Sequence, residues 1–377
     1  MTASFPPRQI PLVDLKAQRD SIRPELMRAI ERVLDRCDFI LGSELAEFEK
    51  EFAAFCNVPT AIGVASGTDA LHLACRALNL GPGDEVIMPS MTFVATALGV
   101  SLAGGRPVLV DVLPGSGLID PRKVEAAITP RTRAIMPVHL FGQCTDMTAL
   151  RRIAGERNLK IIEDAAQAHG ATHGNEAAGA MGDIGCFSFY PGKNLGAYGD
   201  GGAITIPHRE LAERLLLLRN WGSVKKYHHD EMGLNSRLDT IQAAILRVKL
   251  AQLRGWNAAR QRIAERYSRR LRDIPGVELT EYDSGCVYHL YVIRVDRRDE
   301  VLADLQKRGI GAGIHYPFAV HELRAYSWLG YKPGDFPVSE RWARRCLSLP
   351  IYAEMTEADV DYVVDGVQVA LRATAAQ

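Results

Sequence analysis

From about residue 60 onward, short apolar runs alternate with longer segments in which apolar residues recur every three or four positions. The runs are almost continuously apolar, which is typical of strands buried on both faces of a parallel sheet. The longer segments have the periodicity of helices that place one face in a core. We predict strands at residues 61–65, 85–88, 107–112, 133–138 and 160–162, and helices at residues 69–77, 94–102 and 147–157. The pattern indicates an α/β fold in which helices cover a mostly parallel central sheet.

The pattern changes after about residue 200. The elements predicted there are a glycine-rich turn at residues 199–202, strands at 203–206 and 288–295, and helices at 238–271 and 301–307. The long helical stretch has a possible break near Gly255. We therefore predict a large domain over residues 1–250, which includes an N-terminal helical segment, and a smaller α+β domain over residues 251–377.

Composition narrows the class of protein. The chain has 377 residues, of which 47% are hydrophobic and 24% charged, and its formal net charge is zero. This balance is ordinary for a globular protein and gives no reason to expect nucleic acid or an anionic membrane as a partner. No run of about 18 apolar residues is present, and the first residues lack the apolar segment of a signal peptide. Because the seven cysteines form no C-x-x-C pair, we expect reduced thiols and a cytoplasmic location.

Two motifs lie at predicted strand-to-helix junctions. Ser66-Gly67-Thr68-Asp69 opens a helix, where free backbone N–H groups bind anions and glycine permits close approach, so a phosphate site is one interpretation. A plain helix cap made by Ser66 or Thr68 is the other. Phe93 follows the next predicted strand and could stack on a flat heteroaromatic ring, or it could belong to the core.

Acidic and basic candidates follow two later strands. Asp164 ends the apolar strand near residue 160, and its carboxylate could keep a ring nitrogen protonated or cap a helix. Gln167 could donate a hydrogen bond to a phenolate oxygen of the same ring. Lys193 follows a Pro-Gly turn and is either an imine-forming lysine or a surface lysine. A free lysine has a pKa of about 10.4, so an imine-forming lysine requires burial or a neighbouring cation to lower its pKa.

The run that precedes Lys193 has alternating faces. Ser188 and Tyr190 share one face of the predicted strand, and Phe187 and Phe189 share the other. A phosphate cradle, a ring-stacking aromatic, an acid for a ring nitrogen and an imine-forming lysine are together the requirements of pyridoxal phosphate. All four occur in order at strand ends, so we predict a pyridoxal phosphate site.

From about Ile10 to near the C-terminus, the chain resembles the DegT/DnrJ/EryC1/StrS family of sugar aminotransferases, which are fold-type I pyridoxal phosphate enzymes. The motifs that carry the resemblance are Gly42 with Phe48-Glu49, Ser66-Gly67-Thr68-Asp69-Ala70, Pro89-Ser90-Met91-Thr92-Phe93, Glu163-Asp164-Ala165-Ala166-Gln167, Ser188 to Lys193, Gly199 to Ala203 and Asn235-Ser236-Arg237-Leu238-Asp239. The resemblance implies a large domain with a mostly parallel sheet and a smaller α+β C-terminal domain.

The resemblance also implies roles for these residues. Lys193 would attach the cofactor as a Schiff base and carry protons, and Asp164 would pair with the pyridine nitrogen. The other cofactor-binding residues would be Gly67, Thr68 and Ser188 at the phosphate, Gln167 at the phenolic oxygen and Phe93 against the ring. Asn235 would reach the phosphate of the neighbouring subunit, so that a homodimer shares its active sites.

The reaction that the resemblance implies is transfer of an amino group from glutamate to a keto group of a nucleotide-linked deoxysugar. Residues 218–239 are similar to members that aminate C3 of dTDP-3-keto-6-deoxyhexoses. Amination at C4, or of a UDP-sugar, stays open. A pyridoxal phosphate-dependent sugar dehydratase is disfavoured by Lys193, which such members replace by histidine, and by the absence of iron–sulfur cysteine spacing. A regulatory protein that keeps the fold without catalysis is a further alternative.

Substrate residues are harder to assign. The stretch from His315 and Tyr316 to His321 resembles the segment that lines the family's sugar site, and with Tyr190 these residues are our substrate candidates. The family often has a second proline in this loop, which residues 317–321 lack. Both histidines could equally be ordinary loop residues. No metal site is predicted, because His228-His229 has no evident third ligand.

Overall fold

The computed structural model describes residues 8–208 and 210–375. Within these residues, no helix combines the length and the apolar character that crossing a membrane requires. The strands are β1 (Thr60–Val64), β2 (Glu85–Pro89), β3 (Arg106–Val110), β4 (Thr132–Ile135), β5 (Lys160–Asp164), β6 (Thr172–His173), β7 (Glu176–Ala177), β8 (Ile184–Ser188), β9 (Gly202–Ile206), β10 (Ser223–Lys225), β11 (His228–His229), β12 (Val277–Leu279), β13 (Tyr291–Val295) and β14 (Cys346–Leu349).

The α-helices cover this framework on both sides of the chain's central sheet. They are α1 (Leu15–Ser21), α2 (Arg23–Arg36), α3 (Ser43–Cys56), α4 (Gly67–Ala77), α5 (Val94–Leu102), α6 (Pro121–Ala126), α7 (Met147–Arg157), α8 (Glu210–Leu218), α9 (Thr240–Leu271), α10 (Arg298–Lys307), α11 (Pro337–Arg345) and α12 (Glu357–Ala375). The strands and helices predicted between residues 60 and 162 are therefore confirmed, with shifts of one to three residues at their ends.

The central sheet has seven strands in the order β1-β9-β8-β5-β4-β2-β3. The pairs β2–β3, β2–β4, β4–β5 and β5–β8 are parallel, as the apolar runs predicted. Strand β9 is antiparallel to both of its neighbours. A parallel partner would need a long crossover connection. The segment between β8 and β9 contains no helix and turns back directly, which makes β9 antiparallel and places Lys193 in the turn.

The long helix α9 joins two cores. It runs for 32 residues without interruption, so the predicted break near Gly255 is wrong. An exposed glycine costs a helix only about 1 kcal/mol, which packing along a helix of this length offsets. Leu246 and Leu253 pack in the core beneath the central sheet, whereas Ala264 and Leu271 pack in a second core.

The second core lies against a three-stranded antiparallel sheet with the order β12-β13-β14. Helices α10 and α12 pack on it, and Ile10 joins it through a parallel bridge to Ile310. Helix α9 passes through the predicted boundary between residues 250 and 251 and contributes to both cores. The division of the chain into two domains at that point stays a prediction.

Behind the sheet, aromatic side chains fix the strand that leads to Lys193. Phe187 and Phe189 are fully buried and meet Phe52 edge-on, with ring centroids 5.1 and 5.4 Å apart. Phe48 packs on the same group. The alternation predicted for this run is confirmed, because Ser188 and Tyr190 lie on the opposite side, at a cavity.

Candidate active site

A cavity of about 580 Å³ opens where the parallel strands end and their helices begin. Open α/β sheets bind ligands at this edge. Ten of the predicted site residues line it: Gly67, Thr68, Phe93, Asp164, Gln167, Ser188, Tyr190, Lys193, His315 and Tyr316. The structure thus brings together residues that are up to 249 positions apart in the sequence, from Gly67 to Tyr316.

The start of α4 forms one wall of the cavity. Ser66 Oγ accepts a hydrogen bond from the backbone N–H of Asp69 at 3.1 Å, so Ser66 is a helix cap, as one of the two interpretations held. Gly67 is the first helical residue, and a Cβ placed there would lie 2.6 Å from Cβ of Ser188. Only glycine fits this contact. The cap and the anion site are compatible, since a glycine at a helix start leaves room for a phosphate against free N–H groups.

Asp164 ends β5 and lies on the cavity wall. It is 4% exposed, and its Oδ2 accepts a hydrogen bond from Thr96 Oγ1 at 2.7 Å, while Oδ1 accepts one from Ala166 N at 3.2 Å. Burial raises the pKa of this carboxyl above its ordinary value, against the lowering effect of Thr96 and Ala166 and of the nearby Lys193 charge. The segment that joins Asp164 to β6 contains no α-helix, so the helix-cap alternative is wrong.

Lys193 lies in a tight loop after β8. Its backbone N–H donates to the carbonyl oxygen of Tyr190 at 2.8 Å, which turns the side chain into the cavity. Burial lowers the pKa of its amine to about 8, and Asp164 partly opposes this shift. The alternative of an ordinary surface lysine is therefore wrong. Near neutral pH a useful fraction of this amine is unprotonated, which nucleophilic and general-base chemistry requires.

Gln167 and two aromatic side chains form the opposite wall. Gln167 Oε1 accepts a hydrogen bond from Phe141 N at 2.6 Å, and its Nε2 donates to the hydroxyl of Tyr316 at 2.9 Å. Phe93 is 52% exposed, so it is not a core residue. Its ring lies 5.4 Å from that of Tyr316, and the two rings line the cavity at a tilt of 35°. Flat apolar faces of this kind suit an aromatic ligand.

Two histidines complete the inner wall. His315 Nδ1 lies 2.8 Å from Ser348 Oγ, and burial lowers its pKa to about 4. His289, which we did not predict, also lines the cavity, and burial lowers its pKa well below the ordinary value. Both imidazoles are therefore neutral at physiological pH. His289 precedes β13 without any local motif, and its proximity to Lys193 arises only from packing of the second core on the first.

Two predicted residues do not line this cavity. His321 is buried with its Nδ1 2.8 Å from Ser90 Oγ and its Nε2 3.2 Å from Glu340, because the loop after Tyr316 folds it against α11. Asn235 forms an antiparallel bridge with Asn220 and does not line the cavity. Its predicted role in a neighbouring subunit stays a prediction.

These features fit pyridoxal phosphate. Gly67 and Ser188 leave a cradle at a helix start, and Lys193 supplies an amine of lowered pKa. Asp164 is a buried carboxylate for which no cation is within salt-bridge distance among the described residues, and a protonated ring nitrogen would satisfy it.

Comparisons with known proteins identify the family that the chain matches. The model of the DegT/DnrJ/EryC1/StrS aminotransferase family matches residues 20–368. The dTDP-3-amino-3,4,6-trideoxy-alpha-D-glucose transaminase of Streptomyces venezuelae is 49% identical over 362 residues, 96% of each chain. The erythromycin biosynthesis sensory transduction protein EryC1 of Saccharopolyspora erythraea is 47% identical over 357 residues, 94% of this chain and 98% of that protein. The crystal structure of S. venezuelae DesV in complex with a ketimine intermediate has a TM-score of 0.94 and 48% identity, over 96% of this chain and 98% of that one.

Proposed function

Because the chain belongs to the DegT/DnrJ/EryC1/StrS aminotransferase family, we propose that it transfers an amino group from glutamate to C3 of a nucleotide-linked keto-deoxysugar. It is a fold-type I aminotransferase that depends on pyridoxal phosphate. The observation that supports catalysis most strongly is that Lys193, with its lowered pKa, and the buried Asp164 share one cavity.

Each residue of the cavity has a proposed task. Pyridoxal phosphate supplies a conjugated ring that withdraws electrons from the carbon next to the migrating nitrogen. Asp164 would accept a hydrogen bond from the protonated ring nitrogen and keep it protonated, with Thr96 holding the carboxylate in place. Lys193 would attach the cofactor and, once its amine is released by the incoming amino group, would carry a proton between the substrate carbon and the cofactor. The helix start at Gly67, with Thr68 and Ser188, would bind the phosphate.

The remaining walls position the ring. Gln167 is fixed by Phe141 N, so its Nε2, which meets the Tyr316 hydroxyl in this structure, is available to a phenolic oxygen. Phe93, which lines the cavity, would cover one face of the ring. Tyr190 and His315 also line the cavity, and we assign them to the sugar.

A nucleotide-linked sugar with a keto group at C3 is the substrate that the relatives support best. The S. venezuelae transaminase is named for a 3-amino-trideoxyglucose carried on dTDP, and it matches this chain over 96% of its length. The 47% identical relative carries the name of a sensory transduction protein, which keeps the regulatory alternative in view. A protein that only senses a ligand needs residues that bind it. This cavity also contains a group for proton transfer, which favours catalysis.

We also propose a homodimer in the cytoplasm, with Asn235 completing the phosphate site of the other subunit. Apolar side chains on α2 and in the segment between α2 and α3 support a large interface: Met27, Phe39, Ile40 and Leu41 are 43, 41, 49 and 43% exposed. Exposed apolar residues grouped in this way are typical of protein–protein contacts. Analytical ultracentrifugation should show a dimer. Asn235→Ala should weaken cofactor binding while the protein stays dimeric.

The test of the substrate is a panel of dTDP-, UDP- and GDP-linked 3-keto and 4-keto sugars, incubated with the purified protein, pyridoxal phosphate and glutamate. The product is read by its mass shift and by the position of the new amine in its NMR spectrum. We expect amination at C3 of a dTDP-sugar. Preferential turnover of a 4-keto sugar or of a UDP-sugar would replace the proposed substrate. No conversion of the cofactor by any amino donor would favour the regulatory alternative.

A further inference from the structure

A second lysine of lowered pKa lies behind the active-site loop. Lys249, on α9, is fully buried, and burial lowers its pKa to about 8. Its Nζ donates a hydrogen bond to the carbonyl oxygen of Gly196 at 2.6 Å and lies 4.2 Å from the centre of the Tyr198 ring. Among the described residues, no carboxylate lies within salt-bridge distance of this amine. Its contacts are therefore a backbone carbonyl and an aromatic face.

Gly196 belongs to the loop that presents Lys193. A Cβ at position 196 would lie 2.2 Å from the carbonyl oxygen of Pro191. The loop therefore folds back on itself so closely that no side chain fits at position 196. Lys193 lies between these two contacting residues. Because the loop is this compact, a bond that fixes the carbonyl of Gly196 also restricts where the backbone of Lys193 can lie.

Helix α9 holds the same loop at two further points. Gln242 accepts from Tyr198 N at 2.8 Å and donates to Tyr198 O at 3.3 Å. Asn257 Oδ1 accepts from Asn194 Nδ2 at 3.0 Å. One side of the helix thus contacts alternate residues of the loop, at 194, 196 and 198, and Lys249 makes the central contact.

A buried amine without an acidic partner is expensive, and a methionine would fill a similar volume without that cost. What methionine cannot supply is the bond to Gly196 and the attraction between a cation and the Tyr198 ring. We propose that Lys249 is a positioning residue: it holds the loop so that the amine of Lys193 faces the reactive carbon of the cofactor. This inference rests on the role proposed for Lys193.

The test compares two forms of the cofactor with the full-length protein. The aldehyde of pyridoxal phosphate reacts with the Lys193 amine and releases water, whereas pyridoxamine phosphate carries an amine there and cannot form this bond. We expect Lys249→Met to weaken pyridoxal phosphate binding by about tenfold, the value of one hydrogen bond to a charged group. Binding of pyridoxamine phosphate should stay within about twofold of wild type, because this form makes no bond to the Lys193 amine whose position Lys249 controls.

Matched variants separate the possible outcomes. Lys249→Gln keeps a donor for Gly196 and should recover part of the lost affinity, and Lys123→Met, at an exposed site on α6, should change neither constant. Equal weakening of both cofactor forms by Lys249→Met would overturn the positioning role in favour of a general packing role, as would no change in either. If Lys249→Met does not fold, the contact between Lys249 and the Tyr198 ring can be tested instead. Tyr198→Leu removes the aromatic ring, whereas Tyr198→Phe keeps it. Should Lys193→Ala leave pyridoxal phosphate affinity intact, the role of Lys193 itself fails.

Discussion

Glu163 and Asp164 are consecutive carboxylates at the end of one strand, yet their surroundings differ completely. Glu163 lies behind the sheet, fully buried, and accepts four hydrogen bonds: from His139 Nε2 and from the backbone N–H groups of Gly179, Met181 and Gly182, at 2.6 to 2.8 Å. Asp164 lies on the cavity side and accepts two, from Thr96 and Ala166. Alternate residues of a strand point to opposite faces, which separates the two groups.

The difference shows how the same chemical group can serve structure or chemistry. A carboxylate has about four acceptor positions, so the donors around Glu163 use all of them. Thr145 N donates to His139 Nδ1 at 3.2 Å, so Nδ1 is an acceptor and Nε2 is the nitrogen that donates to Glu163. Asp164 keeps acceptor capacity directed at the cavity, and burial raises its pKa because its two donors only partly offset the loss of solvent. Glu163 anchors the strand end, and Asp164 is available to a ligand.

The largest effect should come from removing the amine that shares the cavity with Asp164. Lys193→Ala deletes both the cofactor attachment and the group that moves the proton, so we expect glutamate to convert bound pyridoxal phosphate at least about 10⁴-fold more slowly than in wild type. Chromatography of the released cofactor after timed quenching measures this rate. The exposed Lys50, changed to alanine, serves as the control. A normal rate in Lys193→Ala would contradict the catalytic role proposed for the cavity that Lys193 and Asp164 share.

The second-largest effect should come from Asp164→Asn, which changes one of the two compared carboxylates. The amide cannot keep a ring nitrogen protonated, so we expect turnover to fall by about 10³-fold, while the fold persists because asparagine fills the same space. Steady-state kinetics and thermal unfolding together measure the two outcomes. Asp299→Asn, at an exposed site on α10, should change neither. A loss of stability with retained turnover would mean that the roles of the two carboxylates are reversed.

Glu163→Gln should have the opposite profile. Gln keeps one acceptor oxygen but directs an NH₂ group at backbone N–H donors, and the four buried donors cannot all be satisfied. We expect the free energy of unfolding to fall by about 3 kcal/mol, with turnover per folded molecule close to wild type. Urea unfolding of the protein without cofactor measures this. The exposed Glu176, whose partner is Arg151 at the surface, should lose less than about 1 kcal/mol when changed to glutamine. If Glu163→Gln and Glu176→Gln lowered the free energy of unfolding equally, the four buried hydrogen bonds of Glu163 would contribute no more than a surface ion pair.

Local patterns were sufficient to predict the parallel strands of the central sheet, helices α4, α5 and α7, and the position of Asp164 and Lys193 at one edge of the sheet. Asp164 and Lys193 each follow an apolar strand, and such strand ends meet at one edge of an α/β sheet. The role of Glu163 could not be predicted, because its donors come from residues 179–182 and from His139, which only folding brings together. His289 and Lys249 were missed for the same reason. The misplacement of His321 has a related cause, since its burial depends on Glu340.

The smallest effect we predict is a pH dependence that distinguishes Asp164 from the fully bonded carboxylate behind it. Burial raises the folded-state pKa of Asp164 above its ordinary value of 3.8, so between these two values the folded protein binds more protons than the unfolded chain. Its free energy of unfolding must then fall as pH rises through the native pKa of Asp164, and the loss persists at neutral pH. Asp164→Asn cannot ionise there and escapes the penalty. Without cofactor, the stability of Asp164→Asn relative to wild type should therefore increase from about pH 3.5 to pH 7, as measured by urea unfolding of both proteins at each pH. Subtracting the two curves cancels the other titrating groups. A difference that stays constant or shrinks with rising pH would show that the Asp164 charge is already compensated within the protein, as that of Glu163 is.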